Sequence, residues 1–196
     1  MGMNATALAD WYRDEGDKTH SVNYPLTEDS LVLEIGCYKG LWSFRMAAKY
    51  NCFIHNFEPV KSFFEAAKTL FQDNPKVSMF NFGLTNSNVE AEFALYEDSS
   101  RPGSGNRTEK VILRDMSEII MSPVDLININ IEGGEYTLLP RMLTTKVAKL
   151  CRNIQVQFHD DYPNCIELRK SIRDGLSKTH AETYCYPFVW ESWRLQ

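Results

Sequence analysis

The chain has 196 residues, 43% of them hydrophobic, and a formal net charge of -5, which fits one globular domain with a sizeable core. Lys and Arg are scattered, so the basic stripe that duplex nucleic acid demands is missing. No apolar run approaches the length of a membrane span, and a cytoplasmic protein without nucleic acid or membrane partner is expected.

The start, MGMNATALADWYRDEG, has neither the basic opening nor the apolar stretch of a secretory signal. Gly2 with Thr6 makes only a weak match to an acylation motif, against an ordinary start. Residues 3–12 can form a short helix, and 14–29, with Gly16 and Pro25, read as a loop. Residues 1–29 are expected to be an N-terminal extension of one domain spanning 1–196. A buried strand follows at 31–35, a helix at 41–50, a second strand at 52–57 and a helix at 60–71, where Phe63, Ala67, Leu70 and Phe71 recur at helical spacing. A third strand is predicted at 77–82. Strands at 89–96 and 109–113 flank the Ser/Gly-rich DSSRPGSGNRT. This hairpin insertion, 89–113, is marginal alone, so it either extends the sheet edge or covers a site. The apolar run 124–131 is a fourth main strand buried on both faces. A helix at 135–149, a strand at 153–158, a helix at 163–179 and a closing pair at 181–186 and 190–195 complete the chain. Strand and helix alternate and end in a hairpin, which gives an α/β three-layer sandwich around a mostly parallel seven-stranded sheet with an antiparallel C-terminal edge strand.

The five cysteines, at 37, 52, 151, 165 and 185, are odd in number, widely spaced and free of any CxxC. A disulfide scaffold or structural zinc site is not expected, and a reducing compartment fits.

Chemistry gathers at strand ends. Gly36 follows the first strand and Gly40 opens the next helix, letting a ligand lie against bare backbone. The pattern is GxxxG, not the GxGxxG of dinucleotide folds. Cys37 and Tyr38 stand where a pyrophosphate would approach, and Glu34 repels phosphate. A cofactor without phosphate suits this turn, and Glu34 suits its cationic end. Glu58, about twenty residues on, has the offset of an acid that accepts hydrogen bonds from ribose hydroxyls. Its bland alternative is a solvated acid before Pro59. In the fourth strand, alternation sends Asn128, Asn130 and Glu132 to one side if the strand persists that far. Asn130 and Glu132 can then position a substrate or a water; the alternative is a strand end with helix-capping acids. His159 ends the fifth strand beside the same crevice and can serve as a base, with Asp160 or Asp161 orienting it. A divalent ion at Asn130, Glu132, His159 and Asp160 is conceivable, but no metal is assigned.

Three segments, LEIGCYKG at 33–40, FEP at 57–59 and VDLININIEGGEYTLL at 124–139, resemble the FkbM-type family of S-adenosylmethionine-dependent methyltransferases. The resemblance covers 31–159. It implies the Rossmann-like class I methyltransferase fold, S-adenosylmethionine as cofactor, and methyl transfer to a hydroxyl of a small molecule or carbohydrate by a monomer or homodimer. Glu34, Gly36 and Gly40 match the family's first cofactor motif, with Cys37 and Tyr38 between them. Glu58 and Pro59 match its ribose site, and Phe82 and Gly83 of NFGLTN lie by the adenine. Residues 128–135 match its active side. Two departures stand out. Asn128 and Asn130 replace the usual lysine and aspartate, and Glu34 replaces an aspartate. Asparagine cannot act as a base, so a catalytically silent cofactor-binding protein is one rival reading. A nicotinamide-linked oxidoreductase is another.

Overall fold

The computed structural model describes residues 4–95, 100–103 and 107–196, with backbone only at 100–102. Gly2, and residues 96–99 and 104–106 of the Ser/Gly-rich loop, lie outside the described residues.

In chain order the first half holds α1 (Ala5–Arg13), β1 (Leu31–Ile35), α2 (Leu41–Tyr50), β2 (Phe53–Phe57), α3 (Lys61–Leu70) and β3 (Val77–Phe80). Next come β4 (Gly83–Thr85), β5 (Val89–Leu95), β6 (Ser100–Pro102), β7 (Thr108–Asp115) and the short α4 (Met116–Ile119). The last third holds β8 (Leu126–Ile129), α5 (Glu135–Thr144), a 3-10 turn (Val147–Leu150), β9 (Asn153–Val156), α6 (Cys165–Leu176), β10 (His180–Tyr186) and β11 (Trp190–Leu195).

The main sheet runs β10-β11-β9-β8-β1-β2-β3. β11 is antiparallel to both neighbours, β9 and β10, so it lies one place in from the edge, which β10 takes. A reversed strand there follows from the short hairpin Tyr186–Trp190, which cannot support a parallel crossover.

Each face of the sheet has its own core. Leu33, Ile35, Ile127, Ile129, Ile154 and Val156 point toward α5 and α6 and join Leu138, Leu139, Met142 and Ile172. Val32, Ile54 and Leu126 point the other way and pack with Met46 of α2 and with Val22 and Tyr24. β8 is buried throughout, which is why it reads as a continuous apolar run. α5 tolerates Pro140 near its middle and stops at Thr144, after which the chain tightens into the 3-10 turn.

The residues between β3 and α4 form a second sheet, β4-β7-β5-β6. They do not extend the main sheet; they cover its end. Phe93 and Val111 close a small core with Val60 and Phe63. The capped helix α4 also belongs here: the Asp115 carboxylate accepts from the Ser117 N–H at 2.9 Å, and Arg141 of α5 ties it down at 2.7 Å.

Candidate functional site

A cavity of about 420 Å³ opens at the carboxyl ends of β1, β2 and β8, under the second sheet. Such a volume suits one small ligand. β1 is flanked by β2 on one side and β8 on the other, so the cavity occupies the point where chain order reverses, the usual crevice of an open α/β sheet.

The turn after β1 supplies Ile35, Gly36 and Tyr38 to the wall. Gly36 has φ +81°, and a Cβ there would fall 2.1 Å from the Asn130 carbonyl oxygen. The turn therefore rests directly on the end of β8, and only glycine fits. Glu58 and Pro59 line the cavity beyond β2. Glu58 is only 4% exposed. Its Oε2 accepts the Tyr38 N–H and its Oε1 the Val60 N–H, both at 2.9 Å. Burial pushes its pKa up to about 7, against the pull of those two N–H donors. Each oxygen keeps one lone pair for a ligand. The second sheet adds Gly83, Leu84, Thr85, Phe93 and Leu113, an apolar wall apart from Thr85.

Several residues expected at the cofactor stand elsewhere. Glu34 does not line the cavity; it faces α2, where the Ser43 hydroxyl meets its carboxyl. Asn128 points to the same face and accepts from Gln155 Nε2 at 2.6 Å. The register places Asn56, Glu34, Asn128, Gln155, Ser192 and Tyr184 side by side across neighbouring strands. The Tyr24 and Tyr184 hydroxyls close on Gln155 at 2.7 and 2.6 Å. Glu34 and Asn128 therefore belong to a buried polar row, because strand alternation turns them to the face opposite Ile35 and Ile129; Asn130 reaches the crevice because β8 has ended at Ile129. Burial pushes the Glu34 pKa up to about 8, so the carboxyl is mostly protonated at neutral pH. Cys37 is buried, its thiol on the Tyr38 carbonyl at 3.7 Å. Gly40 lets α2 start against α3: a Cβ there would lie 2.7 Å from the Phe71 ring. Phe82 packs with Phe57 and Phe80, while its neighbour Gly83 reaches the cavity.

On the far side, Asn130, Ile131, Glu132, Gly133 and Gly134 form the wall, with Thr137 of α5. β8 ends at Ile129, so alternation does not carry to Glu132, whose φ of +51° turns the chain into the two glycines. Asn130 Oδ1 is buried without a hydrogen-bond partner among the described residues. Glu135 is fully buried and lies behind this wall. It accepts the Gly133 N–H at 2.9 Å and the His159 N–H at 2.8 Å.

His159 does not line the cavity. Its Nδ1 is 3.0 Å from Glu135 and its Nε2 3.5 Å from Glu132. Burial alone pulls its pKa down, but the hydrogen bonds and charges of Glu132 and Glu135 outweigh that and push it up to about 10. Two carboxylates thus favour the charged ring, and both of its nitrogens face them and not the cavity. Asp160 also stays off the wall; its carbonyl receives the Cys165 thiol at 3.5 Å. Asp161 and Tyr162 line the wall in its place. Phe63, Leu84, Phe93, Leu113 and Thr137 were not legible as site residues, since strands and helices far apart in sequence bring them together.

Glu182, Cys185 and Glu191 offer ligand atoms within 4.8 Å of one another. Arg169 and Arg173 already pair with those glutamates, so two guanidinium groups occupy the cation's place. No helix among the described residues is long and apolar enough to cross a membrane.

No protein-family model and no curated protein sequence matches the chain. Solved structures do. Methyltransferase FkbM from Methylobacillus flagellatus KT superposes with a TM-score of 0.61 at 11% identity, over 97% of this chain and 53% of that one. The fold is that of the Rossmann-like methyltransferases. An rRNA methylase from Streptococcus thermophilus shares it at a TM-score of 0.56 and 11% identity, over 93% of this chain and 95% of that one. So does the fibrillarin pre-rRNA processing protein of Methanococcus jannaschii, at 0.54 and 13%, over 88% and 69%. The chain thus spans about half the length of the Methylobacillus methyltransferase and nearly all of the Streptococcus one.

Proposed function

We propose that this chain is an S-adenosylmethionine-dependent methyltransferase of the FkbM type, acting on a hydroxyl oxygen of a small molecule or sugar. The observation that carries the reading is Glu58: a buried carboxylate at the end of β2, anchored by two backbone N–H groups and open to a cavity beside the Gly36 turn. That is where a ribose diol can be held by two hydrogen bonds. The residues present fit the cofactor. Glu58 takes the sugar, the bare backbone of Gly36 and Tyr38 takes the amino-acid end, and the wall of Phe63, Leu84, Phe93 and Leu113 takes an apolar ring. Glu34 and Asn128 are not part of this set.

The bound cofactor supplies a sulfonium, a methyl donor that needs no covalent help from the protein. The chain's own task is to align the acceptor, keep water out and receive a proton. With both His159 nitrogens turned to Glu132 and Glu135 and the ring off the wall, the carboxylates on the wall placed to receive it are Glu132 and Asp161. Several structural neighbours act on rRNA by their names. Among the described residues this wall carries carboxylates and no lysine or arginine, which favours a compact neutral acceptor over a phosphate backbone. A second reading, cofactor binding without turnover, draws on Asn130, whose amide cannot accept a proton where the family commonly has aspartate.

The test is calorimetric titration with S-adenosylmethionine. Binding is expected for the wild type, with a loss of at least about tenfold in E58A, which removes acceptors from two hydroxyls. Because ribose hydroxyls donate to an ionised Glu58, affinity should rise as pH increases through about 7. Undiminished binding by E58A would overturn the reading. Binding without methyl transfer to any hydroxyl acceptor would favour the silent alternative.

A further inference from the structure

We propose that His159 is a positioning residue, clamped between Glu132 and Glu135 so that it fixes the Glu132 carboxylate on the cavity wall to receive a cationic or hydrogen-bond-donating group of the ligand. This rests on the methyltransferase reading of the same cavity.

Three groups stand in a line running outward. Glu135 is fully buried and belongs to the scaffold: its two oxygens hold the Gly133 N–H, the His159 N–H and His159 Nδ1. His159 is next, its side chain 13% exposed. Glu132, 30% exposed, is the one member on the cavity wall, with Oε1 3.5 Å from His159 Nε2. Without the ring, two carboxylates would face each other across a buried gap, and Glu132 would swing away from Glu135 and off the wall.

The ring's other neighbours do not compete for it. From α5 the Tyr136 hydroxyl donates to the His159 carbonyl at 2.7 Å, not to the ring. On the ring's own segment, Asp160 presents its carbonyl to Cys165 of α6, and Asp161 points to the cavity. Arg169 of α6 lies over the Phe158 ring at 5.9 Å. Both imidazole nitrogens therefore meet carboxylates. The backbone reinforces the placement, since Glu132 turns on left-handed φ and Gly133 and Gly134 leave its side chain no helical turn to lean on.

The experiment uses the full chain and four proteins: wild type, E132Q, H159Q and the double variant. Histidine ring signals are followed by NMR from pH 6 to above 10, and S-adenosylmethionine affinity is measured by calorimetry at pH 7.5. The His159 ring should stay protonated well above pH 8 in the wild type, and its midpoint should drop in E132Q. Each single variant should weaken binding about tenfold, with the double variant no worse than either, because both remove one arrangement. A purely structural His159 predicts lost stability in H159Q with undiminished binding by E132Q, and that result overturns the proposal. So does a wild-type midpoint near 6.5. If H159Q does not fold, E132Q decides alone, since its side chain is partly exposed. If the wild type binds no S-adenosylmethionine, the methyltransferase reading falls, and the NMR midpoints still decide the clamp.

Discussion

Glu34 shows how one side chain can sit in a cofactor motif and serve the core instead. Its carboxyl meets Ser43 on a face where Asn56, Asn128 and Gln155 are its lateral neighbours. With the carboxyl protonated, its O–H donates to Ser43 Oγ, whose own proton goes to Asn56 Oδ1 at 2.6 Å. The sign of its effect on stability follows. A carboxyl whose pKa rises from 4.5 unfolded to about 8 folded binds its proton more tightly in the native state. The stabilisation is complete below pH 4.5 and is lost as pH climbs through about 8. Thermal midpoints of wild type and E34Q should therefore agree near pH 5 and diverge by pH 8.5, with E34Q the more stable because its amide never ionises. Parallel curves across that range would show that Glu34 is not held neutral. Nothing in LEIGCYKG distinguishes this role from a cofactor contact. The sequence shows that an acid ends a buried strand; which face it takes depends on where the strand sits against α2. His159 is a similar case. Its place after an apolar strand beside the crevice is legible, but its charge depends on Glu132 and Glu135, more than twenty positions upstream.

Among the elements, the buried strands are the most legible. β1, α2 and β11 have the bounds their apolar patterns suggest. β8 is shorter than its apolar run: Val124 makes only an isolated bridge to Cys151, and after the Asn130 N–H, which donates to the Ile35 carbonyl at 3.1 Å, the chain turns away to form the cavity wall. The short β4 and α4 have too few residues to show a period, and they exist because the second sheet and Arg141 give them partners. The join between β1 and the end of β8 is tight at Gly36. Alanine there would adopt a left-handed conformation, which costs about 1–2 kcal/mol for an L-residue, and would also drive a methyl into the Asn130 carbonyl. G36A should thus lose at least about 2 kcal/mol in urea denaturation, and S-adenosylmethionine binding should fall with it, since the turn and the end of β8 must move apart. A variant with wild-type stability would mean that the turn does not rest on Asn130.

For the whole molecule, the question is whether residues 1–29 are an appendage or part of the cooperative fold. Trp11 of α1 is 2% exposed. Its ring meets Tyr184, Tyr186 and Trp190 of β10 and β11 at 5.1 to 6.4 Å, and its N–H reaches Asp17 at 3.1 Å. Tyr24, farther along, lies in the core with Val32 and Ile54. W11A should therefore destabilise the entire domain by about 3–5 kcal/mol, as expected for emptying a buried tryptophan site, in a single denaturation transition. A loss under about 1 kcal/mol, or a separate early transition, would identify an appendage. The sequence marks these residues as helix and loop but is silent on their docking, because aromatic residues of the last hairpin supply the contact.

The polar row beneath α2 has a consequence for how the strands find one another. If β1, β8 or β9 slid by a single residue, its carboxyl or amide would rotate into the hydrocarbon packed under α5 and α6, and a leucine, isoleucine or valine would take its place among hydrogen-bonding neighbours. Misalignment is thus penalised twice, on opposite faces of the same strand. Asn56, Asn128 and Gln155 give up some stability that leucine would supply and in exchange leave the chain with a single alignment in which every strand end, and so every wall of the cavity, comes level.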